Sequence, residues 1–257
     1  MIMKKAKKIF LGLVITLLVL VVVSAAVGIL FLDKIVKTGV ETIGPKITGV
    51  SINLDEVHIG LLTGSAKVKG LVVGNPDGYK EPEAIRVGGA SVGVNSFSVL
   101  SDKIVVRSVV IDGPEITFEG GLGGNNLSKI MDNVNGMSQQ GGPVSTNSAG
   151  NPKPSKKIEV DDFLITNAKV HGILVLFGGR EVTLPSLPLP EIHLTNLGTG
   201  PDGITATDLT RAVLQAITSA TIKAVGNFGA DLGKNVENLG GTGVEKIKNG
   251  IGSLFGK

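Results

Sequence analysis

The first feature of the chain is an uninterrupted apolar run. Ile9 to Leu32 is 24 residues without a charge, mostly Leu, Val and Ile. As a helix it would extend roughly 36 Å, enough for a bilayer core of roughly 30 Å with some tilt. A cleaved signal peptide is the rival reading, since Ser24, Ala25 and Ala26 are small. The apolar run is longer than a signal-peptide core of about 7–15 residues, which favours an uncleaved anchor. Residues 33–43 continue as a short helix, with Ile35, Val36, Val40 and Ile43 at helical spacing and Gly44-Pro45 as its stop.

The period then changes from helical to alternating. Short runs rich in Val and Ile predict strands at Ile47–Leu54, Val57–Leu62, Ala66–Val73, Ile85–Val94, Ile104–Ile111 and Glu115–Glu119. Gly64, the Gly74–Gly78 stretch, Gly88-Gly89 and Asp112-Gly113-Pro114 supply breaks. Connections this short predict an antiparallel meander over 33–135. A helix follows at Asn126–Val134, with Leu127, Ile130, Met131 and Val134 on one face. Residues 136–156, poor in anything to bury, read as a flexible linker.

A second β segment spans 157–200, with strands at Lys157–Thr166, Lys169–Leu176 and Glu191–Leu197. Pro185, Pro188 and Pro190 place the intervening extended segment at an edge or outside the ladder. Ile104–Ile116 aligns without gaps on Ile158–Val170, each an alternating strand, a tight turn and a second alternating strand. This suggests a repeated unit stacked along one sheet. The last segment, 201–257, is an amphipathic helix starting at Thr207 or Asp208. Its stripe runs through Leu209, Val213, Ile217, Ala220, Ala224, Phe228, Leu232, Val236 and Leu239, and continues beyond Gly240-Gly241. Many glycines weaken it, so the stripe needs a surface: the sheet, another copy or a membrane interface.

Charge sharpens the topology. The formal net charge is +3, but Lys4, Lys5, Lys7 and Lys8 all precede the apolar run. Without them 21 cations face 22 acids, which gives no excess to neutralise phosphates and argues against nucleic acid as a partner. Lysines before the span and Asp33 after it place residues 1–8 in the cytoplasm and the body across the membrane. In a bacterium this means a single-pass inner-membrane protein with a periplasmic body. The chain has no cysteine, and its three histidines, His58, His171 and His193, have no i,i+4 partner. No metal site or cofactor is expected from such a set.

Catalytic motifs fail on context. Gly89-Ala90-Ser91-Val92-Gly93 has the spacing of a nucleophile elbow, yet its alternation continues through the match, where an elbow needs a strand-to-helix turn. Gly229–Lys234 lacks P-loop spacing. Glu159, Asp161 and Asp162 alternate across one strand and read as solvated. The expectation is a protein that is not an enzyme.

Two stretches resemble a known family. Val50–Tyr79, ending in Gly70-Leu71-Val72-Val73-Gly74-Asn75-Pro76-Asp77-Gly78-Tyr79, resembles the opening strands of AsmA-like proteins. Val109–Glu119 followed by Gly124-Asn125-Asn126-Leu127-Ser128-Lys129-Ile130 is similar to that family's paired strands and Asn-Leu helix start. An anchor before the β region is also its layout. The resemblance implies a taco-like open sheet with a hydrophobic inner groove. Larger members look like bridge-like proteins carrying lipid between bacterial membranes. Here 10 to 12 strands at roughly 4.8 Å would make a groove of roughly 50 Å.

The combined expectation is a mainly β protein with an N-terminal transmembrane helix (9–32), an antiparallel meander or taco-like open sheet, and a C-terminal amphipathic helix. Its role would be to bind or pass membrane lipid along the groove, or to support envelope assembly. The alternative is an anchored structural or assembly module with no lipid ligand. A homo-oligomer or an envelope protein partner would extend so short a groove. Groove candidates are Val68, Leu71, Val73, Val92, Val94, Val105 and Ile116, with the inward parity left open.

Overall fold

The structure, a computed structural model, describes residues 31–121, 124–139, 145–146, 152–153, 156–176 and 179–238. The expected lysine cluster, all but Phe31 and Leu32 of the expected span, most of 136–156 and the end of the C-terminal helix lie outside them. Among the described residues no helix is long and apolar enough to cross a membrane.

Helix α1 covers residues 31–48. It runs through Gly44-Pro45, where the sequence pattern placed its end. The last turn closes because Ile47 buries in the core and the Thr48 hydroxyl donates to the Gly44 carbonyl at 2.9 Å. The strand expected from Ile47 therefore begins only at Ile52. Among the described residues twelve strands follow: β1 Ile52–Gly60, β2 Ser65–Gly74, β3 Glu83–Val94, β4 Lys103–Asp112, β5 Glu115–Gly121, β6 Gly124–Asn125, β7 Ser145–Thr146, β8 Pro152–Lys153, β9 Lys157–Thr166, β10 Lys169–Val175, β11 Glu181–Pro188 and β12 Ile192–Leu197. Helix α2 is Asn126–Gln139 and α3 is Ala206–Asn238. The two runs read as separate strands around Asp55-Glu56 are one strand, β1.

Ten strands form a single curled, open sheet, and β7 and β8 pair by themselves. The sheet is organised by a corner. Strands β1, β2 and β3 pass through it whole, whereas β4/β5, β9/β10 and β12/β11 break there into two strands each. One limb stacks β3–β4–β9–β12 and the other β3–β5–β10–β11, with β2 and β1 continuing both beyond β3. Strand β3 pairs with β5 at Ile85 and Arg86 and with β4 from Ala90 onward. Gly88-Gly89 thus does not end the strand: it is where the backbone bends from one partner to the other.

An antiparallel meander does not describe this sheet. β4 pairs with β9, and β5 with β10, in parallel. Parallel neighbours require a crossover, here the chain through α2 and the residues up to Lys157. The internal echo is the physical register. Ile104 stands beside Ile158, Ile111 beside Ile165 and Ile116 beside Val170, each 54 residues apart. The turns stack likewise: Gly113 (φ 62°) and Asn167 (φ 52°) occupy the same left-handed corner, a conformation that suits glycine and asparagine. The Gly113 amide donates to the Thr166 carbonyl at 2.9 Å, and the Asn167 amide group to Asp112 Oδ1 at 2.7 Å.

Because the units stack side by side, ten strands make a pile only six deep. Five spacings of roughly 4.8 Å give a trough of roughly 24 Å, half the length expected from counting strands.

Apolar side chains cover the concave face in both limbs. Val57, Val68, Ala90, Ile111, Ile165 and Ile192 form one cross-strand ladder, and Ile52, Val73, Ile85, Ile116, Val170 and Leu187 another. To keep apolar residues inward on both sides of the corner, the alternation steps by three, as from Leu54 to Val57, Val68 to Leu71 and Val87 to Ala90. Helices α2 and α3 fill much of the trough, burying Leu127, Ile130, Val134, Leu214, Ile217 and Val225. The described part of α3 thus packs on its own sheet and on α2. Its cap lies earlier than expected: Thr205 and Asp208 bond reciprocally, with the Asp208 amide donating to the Thr205 hydroxyl at 3.1 Å. The buried stripe also turns slightly, to Leu214, Ile217, Thr218, Thr221 and Val225.

Candidate functional site

Among the described residues, the helices leave one end of the trough open. There a cleft of roughly 270 Å³ is walled by Ile59, Ala66, Val68, Val92, Val94 and Ile104 from the sheet, Leu32 and Val36 from α1, and Leu61 and Val99 from the adjoining turns. Its other lining residues are Val57, Gly60, Gly64, Ser65 and Ser96, so among the described residues no ionisable side chain faces it. The wall arises from pairing: Ile59 opposes Ala66, Ala66 opposes Val92 and Val92 opposes Val109.

Helix α1 is tied along the outer edge of β1 by side chains one helical turn apart. Asp33 Oδ1 accepts from the Ile59 amide at 2.8 Å, and Glu41 Oε1 from the Leu54 amide at 3.0 Å. Between them Lys37 donates to the Asp55 carbonyl at 3.0 Å. A sheet edge that would otherwise offer free donors and acceptors is satisfied by one helix face. The same contacts hold Leu32 and Val36 over the cleft.

The sequence-derived groove candidates separate into groups. Val68, Val92 and Val94 line the cleft. Leu71 and Val73 lie on the same concave face, packed against the covered core, and Ile116 is buried within it. Val105, half-buried, alternates with the cleft-lining Ile104 and core-packed Val106 and so takes the opposite face. Leu32, Val36, Leu61 and Ile104 are lining residues the sequence did not single out. A signal existed in Leu61-Leu62, two large apolar residues carried into a turn.

Polar clusters lie elsewhere. Glu81, Glu83, Arg86, Glu115, Thr117 and His171 surround a hollow of roughly 250 Å³, where Arg86 pairs with Glu83 at 2.5 Å. His193 pairs with Asp162 at 2.5 Å, both well exposed, and Glu159 pairs with Lys103. His58 lies 3.5 Å from Asp33. Ser91 is exposed within β3, which continues as a strand through Val94, so the residue does not sit on a strand-to-helix turn. No group of three potential metal ligands occurs among the described residues.

No curated protein and no solved structure matches the chain. The family model of the AsmA family matches residues 3–173, well over half of the sequence. That span contains the apolar run Ile9–Leu32, the residues lining the cleft and both stacked units of the corner, Ile104–Ile116 and Ile158–Val170. The chain belongs to the AsmA family.

Proposed function

We propose that this protein holds the acyl portion of a membrane lipid in the open end of its trough, on the periplasmic side of a bacterial inner membrane. The observation that carries the reading is the cleft lining, uncharged and nearly all apolar, beside the point where the sequence Ile9–Leu32 enters the fold. An apolar surface left open to water is unfavourable by roughly 25 cal/mol per Å², so a site of this kind favours an apolar occupant. Family membership and the curled sheet are compatible with a lipid groove and with a role in envelope assembly.

Magnitudes narrow the role. Small-molecule sites are commonly about 300–1,000 Å³, and this cleft lies just below that range. It suits an acyl chain better than a whole phospholipid. The trough, roughly 24 Å long, is shorter than the hydrocarbon core of one bilayer, roughly 30 Å. These dimensions favour sheltering and handing over a lipid, and bridging two membranes would need further copies or partners.

Mass spectrometry of organic extracts from the detergent-purified full chain tests this. Lipid near one equivalent per chain is expected, and Val92→Phe, which narrows the cleft, should lower it severalfold while Val105→Thr leaves it unchanged. Lipid no higher than in a control single-span protein would overturn the reading.

A further inference from the structure

Two large apolar side chains stand almost wholly in solvent. Leu62 is 100% exposed in the β1–β2 turn, and Phe97 is 93% exposed in the short 3-10 turn Ser96–Leu100 between β3 and β4. Isolated exposed apolar residues are ordinary; a cluster is not. These two belong to one rim. The Ser96 hydroxyl donates to the Leu61 carbonyl, and the Val94 amide to the Gly64 carbonyl at 2.7 Å, so the turns are bonded to each other.

Helix α1 adds to the same rim. Phe31 and Ile35 are 54% and 62% exposed, one helical turn apart. Their neighbours Leu32 and Val36 share the cleft wall with Leu61 and Ser96. Asp33, bonded to the Ile59 amide, fixes this end of α1 beside the β1–β2 turn.

We propose that Phe31, Ile35, Leu62 and Phe97 form a membrane-docking rim that inserts into the lipid interface and sets the mouth of the cleft at the bilayer surface. The occupant follows from where the chain goes. The 24-residue uncharged sequence Ile9–Leu32 leads into the described residues at this rim, where Phe31 and Leu32 begin α1. A bilayer holding that sequence meets the turns carrying Leu62 and Phe97 first. The side chains around the tips are those of an interfacial surface. Thr63, Ser98 and Ser101 are short hydroxyls that satisfy local backbone carbonyls. Lys156 donates to the Val99 carbonyl at 2.5 Å and places a cation beside the Phe97 turn. Exposed Arg107 donates to the Val94 carbonyl at 3.1 Å beside this turn, and exposed Asp102 follows the turn in sequence. With charge of both signs present, insertion of the apolar tips, which reach about 5–10 Å in such contacts, is the main attraction.

This inference goes beyond the lipid-holding reading, since a rim can dock whether or not the cleft carries cargo. The absence of native cysteine makes its test direct. Leu62→Cys, Phe97→Cys and, at the opposite end of the sheet, Asp77→Cys are each labelled with an environment-sensitive fluorophore in the full chain. The chains are reconstituted in phosphatidylethanolamine–phosphatidylglycerol vesicles containing spin-labelled phosphatidylcholine. Blue-shifted emission and at least twofold quenching are expected at 62 and 97, with water-like emission and little quenching at 77. Water-like emission at all three positions would overturn the rim. Shielding at 62 and 97 without quenching would also overturn it, assigning the surface to a protein partner, or to a second copy if dilution with unlabelled chain relieves the shielding. Leu62 and Phe97 bury almost nothing, so unchanged circular dichroism is expected and checks the fold. A chain that docks without stoichiometric lipid keeps this inference and loses the preceding one.

Discussion

Asn126 Nδ2 donates to Asn75 Oδ1 at 2.7 Å, joining two sequence stretches that lie 51 residues apart. Asn126, fully buried at the start of α2, also donates to the Thr117 carbonyl at 2.7 Å, and its Oδ1 accepts from the Glu119 amide at 3.0 Å. The buried Glu119 carboxylate in turn accepts from the Lys80 amide at 2.8 Å and the Glu81 amide at 3.1 Å. The β2–β3 connection is thereby fastened to the junction of β5 and α2. These are the two stretches that carry the family resemblance, and the structure gives them a shared packing role.

Replacing Asn126 strands buried partners. Asn126→Ala leaves the Thr117 carbonyl and the Glu119 amide without their bonds and is expected to cost roughly 2–4 kcal/mol, read from urea unfolding of the full chain in detergent. Asn75→Ala, at a partly exposed position, should cost about 1 kcal/mol. The double variant should cost less than the two added together, because both remove the same bond.

The stacked corner predicts an asymmetric response at Gly113. Asn167 holds the equivalent place with φ 52°, and a Cβ at Gly113 would meet nothing within 4 Å. Gly113→Asn is expected to change stability by less than about 0.5 kcal/mol, whereas Gly113→Val, β-branched in a left-handed conformation, should cost about 2 kcal/mol. Equal losses in the same unfolding measurement would show that space, and not φ, governs the corner.

The corner also has an acid-sensitive contact. Bonds from Asn167 and Thr166 hold the Asp112 carboxyl below its ordinary value of about 3.8. The Thr205 hydroxyl does the same for Asp208 at the start of α3, with Arg211 adding to it. A carboxyl whose folded value is lowered stabilises the fold above its unfolded value, and this is lost as pH falls through the folded one. Asp112→Asn should therefore lower stability at pH about 7 and converge with the parent at pH about 2, as measured by denaturant midpoints. A constant offset between the two would remove the contact from the acid response.

Edge protection by α1 should be visible amide by amide. Glu41→Ala is expected to speed hydrogen exchange at Leu54 roughly tenfold while leaving Ile59 unchanged, and Asp33→Ala should do the converse. Acceleration of the whole of β1 by either variant would mean that the helix is held by packing and not by these bonds.

Much of the architecture was legible in the order of residues. Lys157–Thr166 was bounded to the residue because alternation of Val, Ile and charged positions has a period of two that nothing else imitates. The prolines of Glu181–Pro188 placed that segment at a sheet edge or outside the ladder, and among the described residues β11 pairs on one side, with β10. The 54-residue echo anticipated the stacked repeat, and the glycine and asparagine at its corner are local requirements of a left-handed backbone.

What the order of residues left open was every relation across distance. Alternation is the same in a parallel and an antiparallel pair, so the β4–β9 and β5–β10 pairings needed the crossover to be seen. Strand number gave a trough twice too long because side-by-side stacking is not a local property. Thr218 and Thr221 sit in the buried stripe of α3, where hydropathy reads them as polar and only the packing around the helix decides otherwise. The same holds for the site. Val68, Val92 and Val94 carry an alternation indistinguishable from that of Leu71 and Val73, yet the first three line an open cleft and the others lie under covered core. Sequence determined which face of each strand is apolar, because that is local chemistry. Only tertiary structure decided which part of that face stays open, because that depends on where α1, α2 and α3 come to rest.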